Sequence, residues 1–102
     1  MENYLATATG DGADNISITE VREAIKWIQI ADEEHGAFWV SVIKEDENVL
    51  EVDKGLYFRG IFEDNPDHEY QKTATGWQQA EWLFAILLSG DMDTLKNWFD
   101  EK

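Results

Sequence analysis

Residues 37–62 read AFWVSVIKEDENVLEVDKGLYFRGIF. Ala37 to Ile43 is dense in β-branched and aromatic residues, and Glu45-Asp46-Glu47-Asn48 is a polar turn. Val49 to Val52 makes a second short strand and Asp53-Lys54-Gly55 a second turn. Leu56 to Phe62 follows, with Leu56, Phe58 and Phe62 on one face and Tyr57, Arg59 and Ile61 on the other. Glu63 to Asp67 has turn composition, because Asn, Asp and Pro all favour turn geometry, and His68 to Thr75 returns as a fourth strand. Closely spaced strands joined by short turns read as an antiparallel meander.

Helical sequence flanks the meander. Upstream, Ser17 and Glu20 form a capping box, in which each side chain satisfies a free backbone N–H of the first turn. Ile18, Val21, Ile25 and Ile28 then recur at helical spacing, with Ala24 beside them and Trp27 off the main stripe. That helix is expected to end between Ala31 and His35. Downstream, Trp77, Ala80, Phe84 and Leu87 form a stripe that Trp82, Leu83, Ile86 and Leu88 widen, so a deeply buried helix is expected. Gly90 suits the left-handed position that closes it. Asp91 caps a last helix in which Met92, Leu95 and Phe99 align. Tyr4 to Thr9 reads as an edge strand, and Gly10-Asp11-Gly12 as a loop.

The expected fold class is α+β. A single domain spans residues 1–102, with an antiparallel sheet of four to five strands, an N-terminal helix and two C-terminal helices. If helices cover one sheet face, Trp39, Tyr57 and Ile61 lie on the other, where Tyr and Trp serve as interface anchors. A second layer made by residues 1–15 would bury them instead.

Composition bounds the function. Twenty-two acids against eight bases leave a formal charge of −14, spread along the chain. Such a surface repels nucleic acid and anionic membrane, since phosphate binding needs Lys and Arg. It attracts a cationic protein and speeds the encounter at low salt, or it serves solubility alone. The absence of cysteine excludes disulfides and thiolate metal sites. The amino terminus lacks the basic region and apolar run of a secretion signal, so a cytoplasmic location is expected.

Catalytic constellations are missing. His35 and His68 lack a second histidine at metal-ligand spacing. Asp64, Asp67 and Glu69 lack the alternating ligands and terminal glutamate of a calcium loop. Ser17, Ser41 and Ser89 stand in no nucleophile elbow, and Gly10-Asp11-Gly12 has no basic residue for a phosphate loop. The expectation is a binding protein, not an enzyme, without catalytic residues, cofactor or metal.

Three segments carry a resemblance: Ile18-Thr19-Glu20-Val21-Arg22-Glu23-Ala24-Ile25, Val49-Leu50-Glu51-Val52, and Ala80 through Phe84 leading to Leu88-Ser89-Gly90-Asp91 and Asn97-Trp98-Phe99. Over roughly residues 16–100 the chain resembles small bacterial immunity proteins of polymorphic and contact-dependent growth inhibition toxin systems. The resemblance implies a protein that binds and neutralises one cognate toxin C-terminal domain. A toxin that acts on nucleic acid presents a basic cleft, to which an acidic partner is steered. Candidate toxin contacts are Glu45, Asp46, Glu47, Asp53, Glu63, Asp64, Asp67 and Glu69 around the sheet turns, with Tyr57 and Trp39 as anchors. Other readings are an acidic DNA-mimicking or anti-CRISPR-type inhibitor, and a structural or assembly subunit pairing through a sheet edge. The expected state is a monomer or weak homodimer.

Overall fold

The structure is a computed structural model that describes residues 2–7, 10, 12–30, 36–43, 47–62 and 67–100. Its elements are β1 (Glu2–Thr7), β2 (Gly12–Asp14), α1 (Ile18–Ile30), β3 (Ala37–Ile43), β4 (Glu47–Asp53), β5 (Tyr57–Ile61), β6 (Tyr70–Thr73), α2 (Trp77–Ser89) and α3 (Met92–Asp100). The strands form one antiparallel sheet in the order β2-β1-β3-β4-β5-β6. The α+β class and the three helices follow the sequence reading; the sheet has six strands where four to five were expected.

The extra strands come from the amino-terminal segment. β1 pairs with β3 along its whole length, from Glu2 opposite Ile43 to Thr7 opposite Phe38. β1 is therefore internal, and the three-residue β2 takes the edge beside it. Residues 2–7 and 12–14 extend the sheet sideways; they do not form a second layer over it. The β3–β4 turn is also shorter than composition suggests, because Glu47 and Asn48 already pair with Ile43 and Val42.

One sheet face holds the core. Phe38, Val40 and Val42 of β3 meet Leu50 and Val52 of β4 and Phe58 of β5, all at 2% exposure or less. Val21, Ala24, Ile25 and Ile28 of α1 pack against this face, as do Ala80, Leu83, Phe84 and Leu87 of α2 and Leu95, Trp98 and Phe99 of α3. Aromatic rings tie the two layers together. Phe38 stacks on Phe84 at 5.1 Å, Phe58 meets Trp98 edge-on at 5.7 Å, and Phe99 lies 5.5 Å from Tyr70. Such offset and edge-on pairs add specificity to the area they bury.

Local chemistry places each helix. The Ser17 N–H donates to a Glu20 carboxylate oxygen at 2.7 Å, closing half of the capping box; the Ser17 hydroxyl donates to the same oxygen. Asn3 of β1 holds the entry to α1: its Oδ1 accepts the Ile16 N–H at 2.6 Å and its Nδ2 donates to the Ile16 carbonyl. Gly90 ends α2 at φ 86, a left-handed position that costs a side-chain-bearing residue energy. Asp91 then accepts from the Thr94 hydroxyl and N–H at the start of α3. Trp82 departs from expectation. It is 47% exposed, because it falls on the outward stripe of α2 and not beside Leu83 and Phe84.

Candidate functional site

The sheet face opposite the core is where the structure brings functional candidates together. Side chains alternate along a strand, so Trp39 in β3 points away from the face that buries Phe38 and Val40. Cross-strand register then sets its neighbours. Ala6, Trp39, Glu51, Arg59 and Gln71 form one row across five strands. Asp14, Tyr4, Ser41, Val49 and Ile61 form the next. Tyr57 pairs with Thr73 in a third. No described helix covers these rows. Tyr4, Trp39, Val49, Glu51 and Tyr57 are partly exposed, and Ile61 and Arg59 are exposed.

The face interleaves charged with aromatic and apolar side chains: Glu51 and Arg59 share the row of Trp39, and Tyr4, Val49, Ile61 and Tyr57 lie in the rows beside it. Arg59 stands opposite Glu51, lies 3.8 Å from a Glu69 carboxylate oxygen, and sits 5.4 Å from the centre of the Tyr57 ring. The Tyr57 hydroxyl donates to the Gln71 side-chain carbonyl. Tyr57 is thus contacted by two side chains of the adjacent row, Arg59 and Gln71. Ser41 lies in the same face between Tyr4 and Val49, fully buried, and its Oγ has no hydrogen-bond partner among the described residues.

The ten residues singled out from sequence are distributed unevenly. Trp39 and Tyr57 stand on the open face, and Asp53, opposite Ala37, lies in its third row at the end of β4. The Asp53 carboxylate is occupied by the β4–β5 turn, accepting the N–H of Gly55 at 2.8 Å and of Tyr57 at 3.1 Å. Leu56, not Gly55, takes the left-handed conformation in that turn, at φ 66. Glu47, Asp67 and Glu69 belong to the opposite end of the sheet, because β4 begins where β5 ends. Asp67 and Glu69 are exposed. Glu47 is placed by its backbone alone, and Glu45, Asp46, Glu63 and Asp64 lie outside the described residues.

Sequence reasoning missed Tyr4, Val49 and Glu51 as members of this surface. Alternation within Val49 to Val52 already puts Val49 and Glu51 on one side. The signal that joins them to Trp39 is the β3–β4 register, which no local pattern prints. Tyr4 enters only because β1 docks beside β3.

Recesses also lie elsewhere among the described residues. One, of about 270 Å³, is lined by Leu5, Thr7, Gly12, Ala13, Glu20, Glu23, Ala24 and Trp27. Its Glu20 carboxylate is held below the ordinary carboxylate range by the hydrogen bonds from the Ser17 hydroxyl and N–H. Another runs between α1 and α2, past Arg22, Ile25, Lys26, Gln29, Trp77, Gln78 and Glu81. Among the described residues no three His, Cys, Asp or Glu side chains group as metal ligands, and no described helix is long and apolar enough to cross a membrane. No family model, curated protein or solved structure matches the chain.

Proposed function

We propose that this chain is an immunity-type inhibitor that binds a cationic toxin domain through the open face of its sheet. The observation that carries the reading is the uncovered row of Trp39, Glu51 and Arg59 with Tyr4, Val49, Ile61 and Tyr57 around it. Aromatic side chains near the middle of an interface supply most of its affinity, and surrounding polar groups exclude water. The formal charge of −14 steers a basic partner toward the chain before contact and gives an association rate that falls with salt. The sequence resemblance to bacterial immunity proteins points to the same class of partner. In this account the chemistry belongs to the toxin and the chain contributes a rigid surface that occludes it.

The test is affinity purification of the tagged chain from cells expressing its own locus, washed at moderate salt. A single stoichiometric basic polypeptide, whose toxicity this chain relieves, is the expected result. Recovery of nucleic-acid-binding host machinery would replace the reading by that of a nucleic-acid mimic. Retention of no basic polypeptide would remove it.

A further inference from the structure

The open face of the sheet is divided by what its side chains already do. On the β5–β6 side they engage one another. The Tyr57 hydroxyl donates to Gln71, and Arg59 lies 3.8 Å from a Glu69 carboxylate oxygen and 5.4 Å from the centre of the Tyr57 ring. On the β3–β4 side Trp39 and Glu51 stand directly opposite each other, both partly exposed. Among the described residues neither of these two side chains makes a hydrogen bond, an ion pair or a ring contact. Arg59 is the neighbour of Glu51 on β5, but its guanidinium engages Glu69 and Tyr57 and forms no ion pair with Glu51. The Glu51 charge is therefore left without a partner beside an indole ring.

Arg59 shows how this face holds a guanidinium, with an aromatic ring and a carboxylate on neighbouring positions. Trp39 and Glu51 repeat that combination. Directly opposed residues of an antiparallel ladder hold their Cβ atoms roughly 4.5–5.5 Å apart. A cation is attracted to an indole face from within about 6 Å of its centre, so one guanidinium reaches both groups. Ala6, the neighbour of Trp39 on β1, has too little surface to cover the ring. A guanidinium suits the pair better than an ammonium does, because it is planar, stacks on an aromatic face and offers a carboxylate two parallel N–H donors.

We infer that Trp39 and Glu51 form the receiving site for one arginine side chain of a protein partner, the indole stacking on its guanidinium and the carboxylate accepting its N–H groups. Assigning that arginine to a toxin domain rests on the proposed function, whereas the site itself is testable without any toxin.

Nuclear magnetic resonance titration of the isotopically labelled chain with N-acetyl-arginine amide provides the test. The Trp39 indole N–H and the Glu51 amide are expected to shift and saturate together. The citrulline analogue, of the same shape without the charge, and the lysine analogue should each bind several-fold more weakly. Glu51→Gln should weaken arginine binding by about fivefold or more, and Trp39→Leu by about threefold or more. Asp93→Asn, which removes an exposed acid of α3, should leave it unchanged. Circular dichroism melting curves confirm that each variant is folded. Equal binding of the citrulline or lysine analogue, shifts spread over the acidic surface with Trp39 unmoved, or a Glu51→Gln chain that binds arginine like wild type would each overturn the assignment. A captured toxin that binds Glu51→Gln as tightly as wild type would also overturn it while leaving the open-face reading standing. Saturable arginine binding at Trp39 and Glu51 upholds the site even where no toxin is captured, an outcome that removes the toxin reading alone.

Discussion

Trp39 stands directly opposite Glu51 in the β3–β4 ladder, on the sheet face that no described helix covers. One residue earlier, Phe38 is fully buried against Phe84 on the other face. Consecutive aromatics therefore lie on opposite faces of the sheet, and they are open to separate tests. Trp39→Ala should leave the thermal midpoint nearly unchanged while weakening toxin binding by about 30-fold, as truncation of a central anchor does. Phe84→Ala should do the reverse and destabilise the fold by about 3–5 kcal/mol. Calorimetric titration paired with chemical denaturation reads both quantities.

The acidic surface predicts a kinetic signature. Raising ionic strength from low to high should cut the association rate with a basic partner by about tenfold or more, with a much smaller change in dissociation. Stopped-flow measurement over a salt series checks this. A rate that ignores salt would assign the charge to solubility alone.

Gly60 supports the packing between β5 and α3. A Cβ there would come within 2.8 Å of the Phe62 Cζ and 3.1 Å of the Phe99 Cε2. Gly60→Ala should therefore cost about 1–3 kcal/mol, the usual penalty for an overfilled core. Phe62→Leu in the same chain should recover part of that cost, and urea denaturation of the single and double variants measures the coupling.

The Glu20 carboxylate at the start of α1 is held below the ordinary carboxylate range by the Ser17 side chain and then by the Ser17 N–H. Its folded form thus prefers the ionised state more than the unfolded chain does. The resulting stability is complete above the unfolded carboxylate range and is lost as pH falls through the depressed folded value. The difference in melting temperature between wild type and Glu20→Gln should therefore be present at neutral pH and close on acidification. Asp91, lowered chiefly by the Thr94 hydroxyl, should behave alike in Asp91→Asn.

Local signals were enough for the elements they belong to. The Ser17 and Glu20 pair marked the start of α1 because a capping box is made within four residues, and the Phe58 parity marked the buried side of β5. What local pattern does not contain is register. β1 pairs with β3 across some thirty residues of chain, so neither its internal place nor the addition of Tyr4 to the open face could be read from Tyr4 to Thr9. Trp82 illustrates a different limit. Hydrophobicity placed it with Leu83 and Phe84, whereas the helical angle sends it outward once Ala80, Phe84 and Leu87 fix the inner side. Asp53 looked like a free acidic contact, and its carboxylate instead caps the turn that left-handed Leu56 completes.

The most direct test of the central claim compares two surfaces in one assay. The basic toxin domain from the same locus is expressed with wild-type chain, with an open-face variant carrying Trp39→Ala and Glu51→Lys, and with Trp82→Glu on the exposed side of α2. The account predicts growth with wild type and with Trp82→Glu, and loss of protection with the open-face variant at equal protein level and unchanged fold. Full protection by a folded open-face variant would contradict it.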